Sequence, residues 1–223
     1  GGRFVLPPEV LATAKADLQG IIDRDRDAEL KALARAEAAM ARLNKAQSAF
    51  QRLDQTKASA RQIADARAAL DIAQADESAA RSEVDRLRQL IEIGGYGLQV
   101  WDARAIIYGN PRPDATRLDD IVQRVRVGLI RIRQARDFLQ QSLTTREQEA
   151  FDLREALLGT KSPLDQKVIA ARLASANAQT DSARSILAAL DKFEQHLTVI
   201  QSELGVYSQD RTLGERLIDY WQR

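Results

Sequence analysis

Apolar residues recur at alternating steps of three and four through most of the chain. One series runs Ile63, Ala66, Leu70, Ala73, Glu77, Ala80, Val84, Leu87, Ile91. A second runs Leu118, Val122, Val125, Leu129, Ile132, Arg136, Leu139, Leu143, and a third Ile186, Leu190, Phe193, Leu197, Ile200, Leu204. Such spacing lays each set along one stripe of a long helix, as in coiled coils and bundles. The pattern predicts an all-α protein, an elongated bundle of long antiparallel helical hairpins with coiled-coil-like packing. About four long helices are expected, with short helices at a central joint and at the C-terminus.

The boundaries follow from local chemistry. Pro7 and Pro8 before Glu9 suit a first helical turn, where a missing N–H costs nothing and an acid faces the positive dipole end. From Glu9 the pattern is helical to Leu53, with Gly20 a soft spot and Asp23 to Asp27 a charged patch. The stripe Leu33, Ala36, Met40, Leu43, Gln47, Phe50 is out of phase with the one beginning at Ile63. The break falls at Asp54 to Ser59 and reads as a hairpin turn that lets two Ala-rich faces cover each other; one bent helix is the alternative. The second helix is expected to stop at Gly94-Gly95, since glycine takes the left-handed C-terminal conformation cheaply. An aromatic, Gly- and Pro-containing joint then spans residues 94–114, with a short helix from Leu98 to Ile107. Asp114 or Thr116 is placed to cap a third helix ending at Gly159, and Ser162-Pro163-Leu164-Asp165 reads as the start of a fourth reaching Leu204 or Gly205. A short helix from Thr212 to Gln222 closes the chain. Three regions result: a hairpin over 1–93, the joint over 94–114, and a second hairpin over 115–223. Residues Val125 to Arg133 partly alternate as a strand would, but the longer helical period around them favours helix.

Composition sharpens this. Hydrophobic residues make up 44% and charged residues 29% of 223 positions, which excludes a disordered chain and a membrane-embedded one. Aromatics are only 5%, so the core must be built from Ala, Leu, Ile and Val, and thin, closely approached helices are expected. A formal net charge of +1 supplies no global field toward nucleic acid or anionic lipid. Cysteine is absent, which removes disulfides and thiolate metal sites. No apolar run approaches the roughly 20 residues that span a bilayer. The opening Gly1-Gly2-Arg3, without Met or signal peptide, suggests an excised segment.

No catalytic constellation emerges, and no cofactor, metal, nucleic acid or small-molecule substrate is expected. His196, between Phe193 and Leu197, has Glu194 and Glu203 near it in sequence but no ligand set at metal spacing, and reads as a partly exposed helical residue. Gly159-Thr160-Lys161-Ser162 lacks the adjacent Gly-Lys and the earlier glycine of a phosphate loop, and is an interhelical turn. Gly94-Gly95-Tyr96-Gly97 follows a helix, so it punctuates rather than binds a dinucleotide. Arg117, Arg124 and Arg131 recur every seven residues, with Arg126, Arg133 and Arg136 on adjoining faces. Functionally, Arg117, Arg124, Arg131 and Arg133 form a strip for lipid headgroups or an acidic partner; structurally, they pair with acids across the bundle, the favoured reading. Trp101 and Tyr108 either line a pocket or, as preferred, plug the joint between hairpins. The segment Leu217, Ile218, Tyr220, Trp221, Arg223 suits a membrane interface and equally a helix folded back on the bundle.

Three segments together resemble a family: Trp101-Asp102-Ala103-Arg104 with Tyr108-Gly109, Ser162-Pro163-Leu164-Asp165, and Leu213-Gly214-Glu215-Arg216-Leu217 with Trp221. They resemble the N-terminal, extracytoplasmic helical region of large bacterial mechanosensitive channels of the small-conductance (MscS-like) superfamily, over about the C-terminal two-thirds of the chain. The resemblance implies a non-enzymatic periplasmic accessory, sensing or assembly module, whose partners are other subunits or the membrane part of the same channel. It also implies a gene continuing past Arg223 into apolar spans, with a secretory signal ahead of Gly1. The alternatives are a soluble coiled-coil scaffold or adaptor of an envelope transport or secretion assembly and, third, a helical-bundle ligand sensor.

Overall fold

The computed structural model describes residues 5–209 and 221. Four long helices account for nearly all of them: α1 (Pro8–Arg52), α2 (Ala60–Ile107), α3 (Ala115–Gly159) and α4 (Pro163–Gln209). At 45 to 48 residues, each is about 70 Å long. No strand occurs among the described residues, so Val125 to Arg133 is helix, as the flanking period favoured. The expected C-terminal helix lies outside the described residues.

The turns are built from side-chain caps. Asp54 accepts from the Thr56 amide (3.0 Å) and hydroxyl (2.6 Å), bonds that hold its carboxyl below the usual range, the hydroxyl most. Ser59 and Gln62 then form a reciprocal capping box at the start of α2: the Ser59 amide donates to the Gln62 side chain and the Gln62 amide to the Ser59 hydroxyl. The break at Asp54 to Ser59 is therefore a hairpin turn, not a bend. Asp114 caps α3 by accepting from the Arg117 amide at 2.8 Å. Ser162, ahead of Pro163, accepts from the Asp165 amide at 3.4 Å.

One expected boundary is absent. The stop at Gly94-Gly95, and with it the separate helix from Leu98, gives way to a single α2 running through to Ile107. No glycine has positive φ among the described residues, so none there acts as a left-handed terminator. Helical glycines cost about 1 kcal/mol each relative to alanine. What offsets them is downstream packing: Val100 is 6% exposed and Ile107 fully buried. Gly97 also has a positive use, because a Cβ there would lie 2.9 Å from Leu18 Cδ2; its absence lets α1 approach. Gly95 has open space around it. We therefore expect Gly95→Ala to raise stability by about 0.5–1 kcal/mol in chemical denaturation, with Gly97→Ala gaining less. Equal gains at both positions would contradict the close approach at Leu18.

The contacts divide the chain into two compact units that cut across the helices. The first unit comprises Gly1–Ile21, Ile93–Arg136 and Ala189–Arg223; the second comprises Ile22–Glu92 and Asp137–Ala188. Each unit takes a piece of all four helices, so neither coincides with a sequence hairpin.

In the second unit α1 runs antiparallel to α2, with Glu29 against Arg88 (3.0 Å) and the Arg67 guanidinium over the Phe50 ring. α2 runs parallel to α4, with Asp71 against Arg172 (3.2 Å) and Ser82 hydrogen-bonded to Ser182 (3.2 Å). α3 and α4 are antiparallel, joined by Glu147–Arg184 and by the cluster Leu139, Leu143, Ala183, Leu187. Where α1 meets α2, Ala32, Val84 and Leu87 form the core. On α1 the buried positions are Ile22, Ala32 and Ala39, whereas Met40, placed on the stripe by periodicity, is exposed. Alanine at closest approach sets this register, because a helix with so few large residues gains most by bringing backbones together.

Candidate functional site

In the first unit, the C-terminal part of α2 is the hub. Three side chains there, and the backbone of Tyr108 just after it, reach other parts of the unit. Asp102 accepts from Lys15 of α1 at 2.6 Å. Arg104 donates to Glu203 of α4 at 2.9 Å. Trp101 meets His196 of α4 edge-on at 6.1 Å, and the Arg104 guanidinium lies 4.9 Å over the Trp101 ring. The Tyr108 carbonyl accepts from the Leu6 amide at 3.1 Å. Tyr96 stacks on Phe193 nearby.

This cluster is short of solvent. Arg104 Nε and Glu203 Oε2 are buried without a hydrogen-bond partner among the described residues. Burial, then its hydrogen bond to Glu203, pushes the Tyr108 hydroxyl up to about 12, so it stays a neutral donor. Burial also pushes His196 below its ordinary value, helped by the positive charges of Arg104 and Lys192 and opposed by Glu203. His196 is thus held as the neutral imidazole against an aromatic edge. Its neighbours include the Arg104 guanidinium, the Trp101 indole, the Lys192 ammonium and the Glu203 carboxylate. Among the described residues, no three His, Asp or Glu side chains converge as metal ligands.

Trp101 and Tyr108 therefore stand in one cluster, with Arg104 and Glu203 completing it. The link between Arg104 and Glu203 spans 99 positions, so no local spacing points to it. The aromatic content of the stretch from Tyr96 to Tyr108 was its one visible signal.

The arginines of α3 behave unequally. Arg133 and Arg136 both reach Glu194 of α4, Arg133 at 3.1 Å, and Arg136 also approaches Asp191. Arg124 pairs only within its own helix, with Asp120 at 3.1 Å. Arg117 and Arg131 are exposed and make no side-chain ion pair among the described residues. At 100° per residue, Arg117, Arg124 and Arg131 line one side of the exposed arc of α3, and Arg126 and Arg133 the other. Between them stand Val127 and Ile130, 46% and 56% exposed. The strip is thus split: Arg133 and Arg136 fasten helices together, and Arg117, Arg124 and Arg131 face outward.

Gly159 to Ser162 is a turn, with the Thr160 hydroxyl donating to the Ala156 carbonyl at 2.7 Å. A further feature, in the second unit, escaped the sequence pattern. A groove of about 380 Å³ opens where α2, α3 and α4 meet, lined by Arg81, Arg86, Arg146, several serines and Phe138. Serine and arginine on helices carry no periodic signature, so only the meeting of three helices reveals it.

Comparison with protein-family models, with curated proteins and with solved structures returns no match.

Proposed function

We propose that the chain is a non-enzymatic, extracytoplasmic helical module of a bacterial mechanosensitive channel, an accessory, sensing or assembly domain lying in the periplasm ahead of the pore. The observation that carries this reading concerns the residues behind the family resemblance. Asp102, Trp101, Arg104 and Tyr108 are the groups that fasten α2 to α1, to α4 and to the N-terminal segment. Their chemistry holds helices rather than transforms a substrate. Lys15–Asp102 is exposed, but the half-buried Arg104–Glu203 pair and the aromatic contacts beside it resist separation more than exposed contacts do, which suits a part that bears load or fixes subunits. In this reading Arg117, Arg124 and Arg131 meet lipid headgroups or an acidic surface of the same channel.

A second reading, a scaffold or adaptor of an envelope transport or secretion assembly, is favoured by Val127 and Ile130. Apolar residues standing between two arginine rows form a face of the kind a partner helix covers.

The test is electrophysiological. Deleting residues 1–223 from the full-length protein should shift the tension threshold for gating, or lower channel abundance, while leaving a conducting pore. If threshold, assembly and abundance all stay at wild-type values, the channel reading is wrong.

A further inference from the structure

The groove of the second unit combines donor surplus with an apolar wall. Arg81 spends one nitrogen on Glu77, and Arg86 spends two on Glu83 (2.6 and 3.1 Å). Among the described residues Arg146 has no carboxylate partner, and its Nε reaches the Ser142 hydroxyl at 3.4 Å. A guanidinium carries five N–H donors and no acceptor, so most of the donors around the groove are unspent. Ser142 accepts from Arg146, which leaves its own O–H free to donate. Against this stands one carboxylate on the lining, Asp85, which is exposed. On the α3 and α4 side the wall is Phe138, Leu139 and Ile186. Phe138 is 72% exposed, an unusual position for a bare phenyl ring beside charged groups. The volume, about 380 Å³, is at the lower end of small-ligand sites and larger than a bare phosphate needs.

We propose that this groove binds a phosphate-type oxyanion ester, with Arg146 and Ser142 holding the oxyanion, Arg81 and Arg86 lending further donors, and Phe138 covering the apolar substituent. Planar guanidinium forks match tetrahedral oxyanions in two-point geometry, which is why arginine is the residue for this task. The ester reaches the groove either as a phospholipid headgroup or as a free soluble molecule. The groove belongs to the second unit and the cluster on which the channel reading rests to the first, so either can fail alone.

Phenyl phosphate is the probe, measured by calorimetry on the full chain at constant ionic strength, with inorganic phosphate and chloride for comparison. Saturable binding of phenyl phosphate is expected, with Kd below about 1 mM. Arg146→Gln should weaken it at least tenfold, and Arg146→Lys by less. Phe138→Ala should weaken phenyl phosphate and leave inorganic phosphate unchanged. Far-ultraviolet circular dichroism confirms that each variant keeps its helices; both side chains are at least partly exposed, so folding should survive. Co-sedimentation with phosphatidylglycerol vesicles separates the sources: binding lost in Arg146→Gln marks a headgroup, whereas phenyl phosphate binding without vesicle binding marks a soluble ester. No saturable binding beyond chloride, or equal affinity in Arg146→Gln, overturns the proposal.

Discussion

Replacing Arg104 with alanine should lower the unfolding free energy by about 2–3 kcal/mol, the largest loss of any single charge change at the joint. The reason is the carboxylate left behind. Glu203 is only 25% exposed, and its Oε2 already lacks a hydrogen-bond partner among the described residues. Removing the guanidinium strands a desolvated negative charge, and removes the cation over Trp101 as well. Fully buried pairs cost more to break; partial exposure of both partners sets the lower figure here. For a chain of this size the loss corresponds to a fall in melting temperature of roughly 5–10 °C. The double variant Arg104→Met with Glu203→Gln should recover most of it, because no uncompensated charge remains, and a double-mutant cycle would read the coupling directly. A loss below about 1 kcal/mol, with additive effects in the double variant, would show that the pair is solvated and holds nothing.

Leu87→Ala should cost still more, about 3–4 kcal/mol by chemical denaturation. Leu87 is 2% exposed in the second unit and packs with Ala32 and Val84, flanked by Ala28, Leu33 and Ala36. Alanine neighbours have no side-chain freedom with which to refill a cavity, so the cost stays clear of the lower end of the range for such truncations. The control is Leu30→Ala on α1. Leu30 is 69% exposed, and its truncation should change stability by less than about 0.5 kcal/mol. Equal effects at the two positions would mean that α1 does not pack on α2 through Ala32.

These two predictions rest on features of different legibility. Leu87 was visible in the sequence: it lies on the stripe from Ile63 to Ile91, of which Ala73, Glu77, Val84 and Leu87 are buried. Even Glu77 sits where the period put it, 6% exposed, with Arg81 one turn on holding its carboxylate. The stripes of α3 and α4 behave alike, with Leu118, Val125, Leu129, Ile132 and Leu143, and Ile186, Leu190, Leu197, Ile200 and Leu204, all buried. Periodicity works here because burying a stripe is the only large gain open to an Ala- and Leu-rich helix. The capping box at Ser59 and Gln62 was equally legible from its spacing; attention to Gly and Pro alone passes over it.

The Arg104–Glu203 pair was not legible, nor the split within the arginine series. Arg136 stands on the apolar stripe and Arg133 beside it, and both meet Glu194, some 60 positions away, whereas Arg117 and Arg131 lie on the outer face. The period separates their faces, but the acid that meets each one lies too far along the chain for the local pattern to name.

By itself the sequence determined the all-helical class, the number of long helices, the cap at Ser162, a cap for α3 at Asp114 or Thr116, and which stripes are apolar. These are decided within a few turns of helix, by propensity, capping and period. Tertiary structure decided whether Gly94, Gly95 and Gly97 end a helix or carry it through. Gly159, with open space around it, is the last residue of α3, whereas Gly97 lies under Leu18 and is followed by the buried Val100 and Ile107. A glycine costs a helix about the same anywhere, and only the packing beyond it determines whether that cost is met.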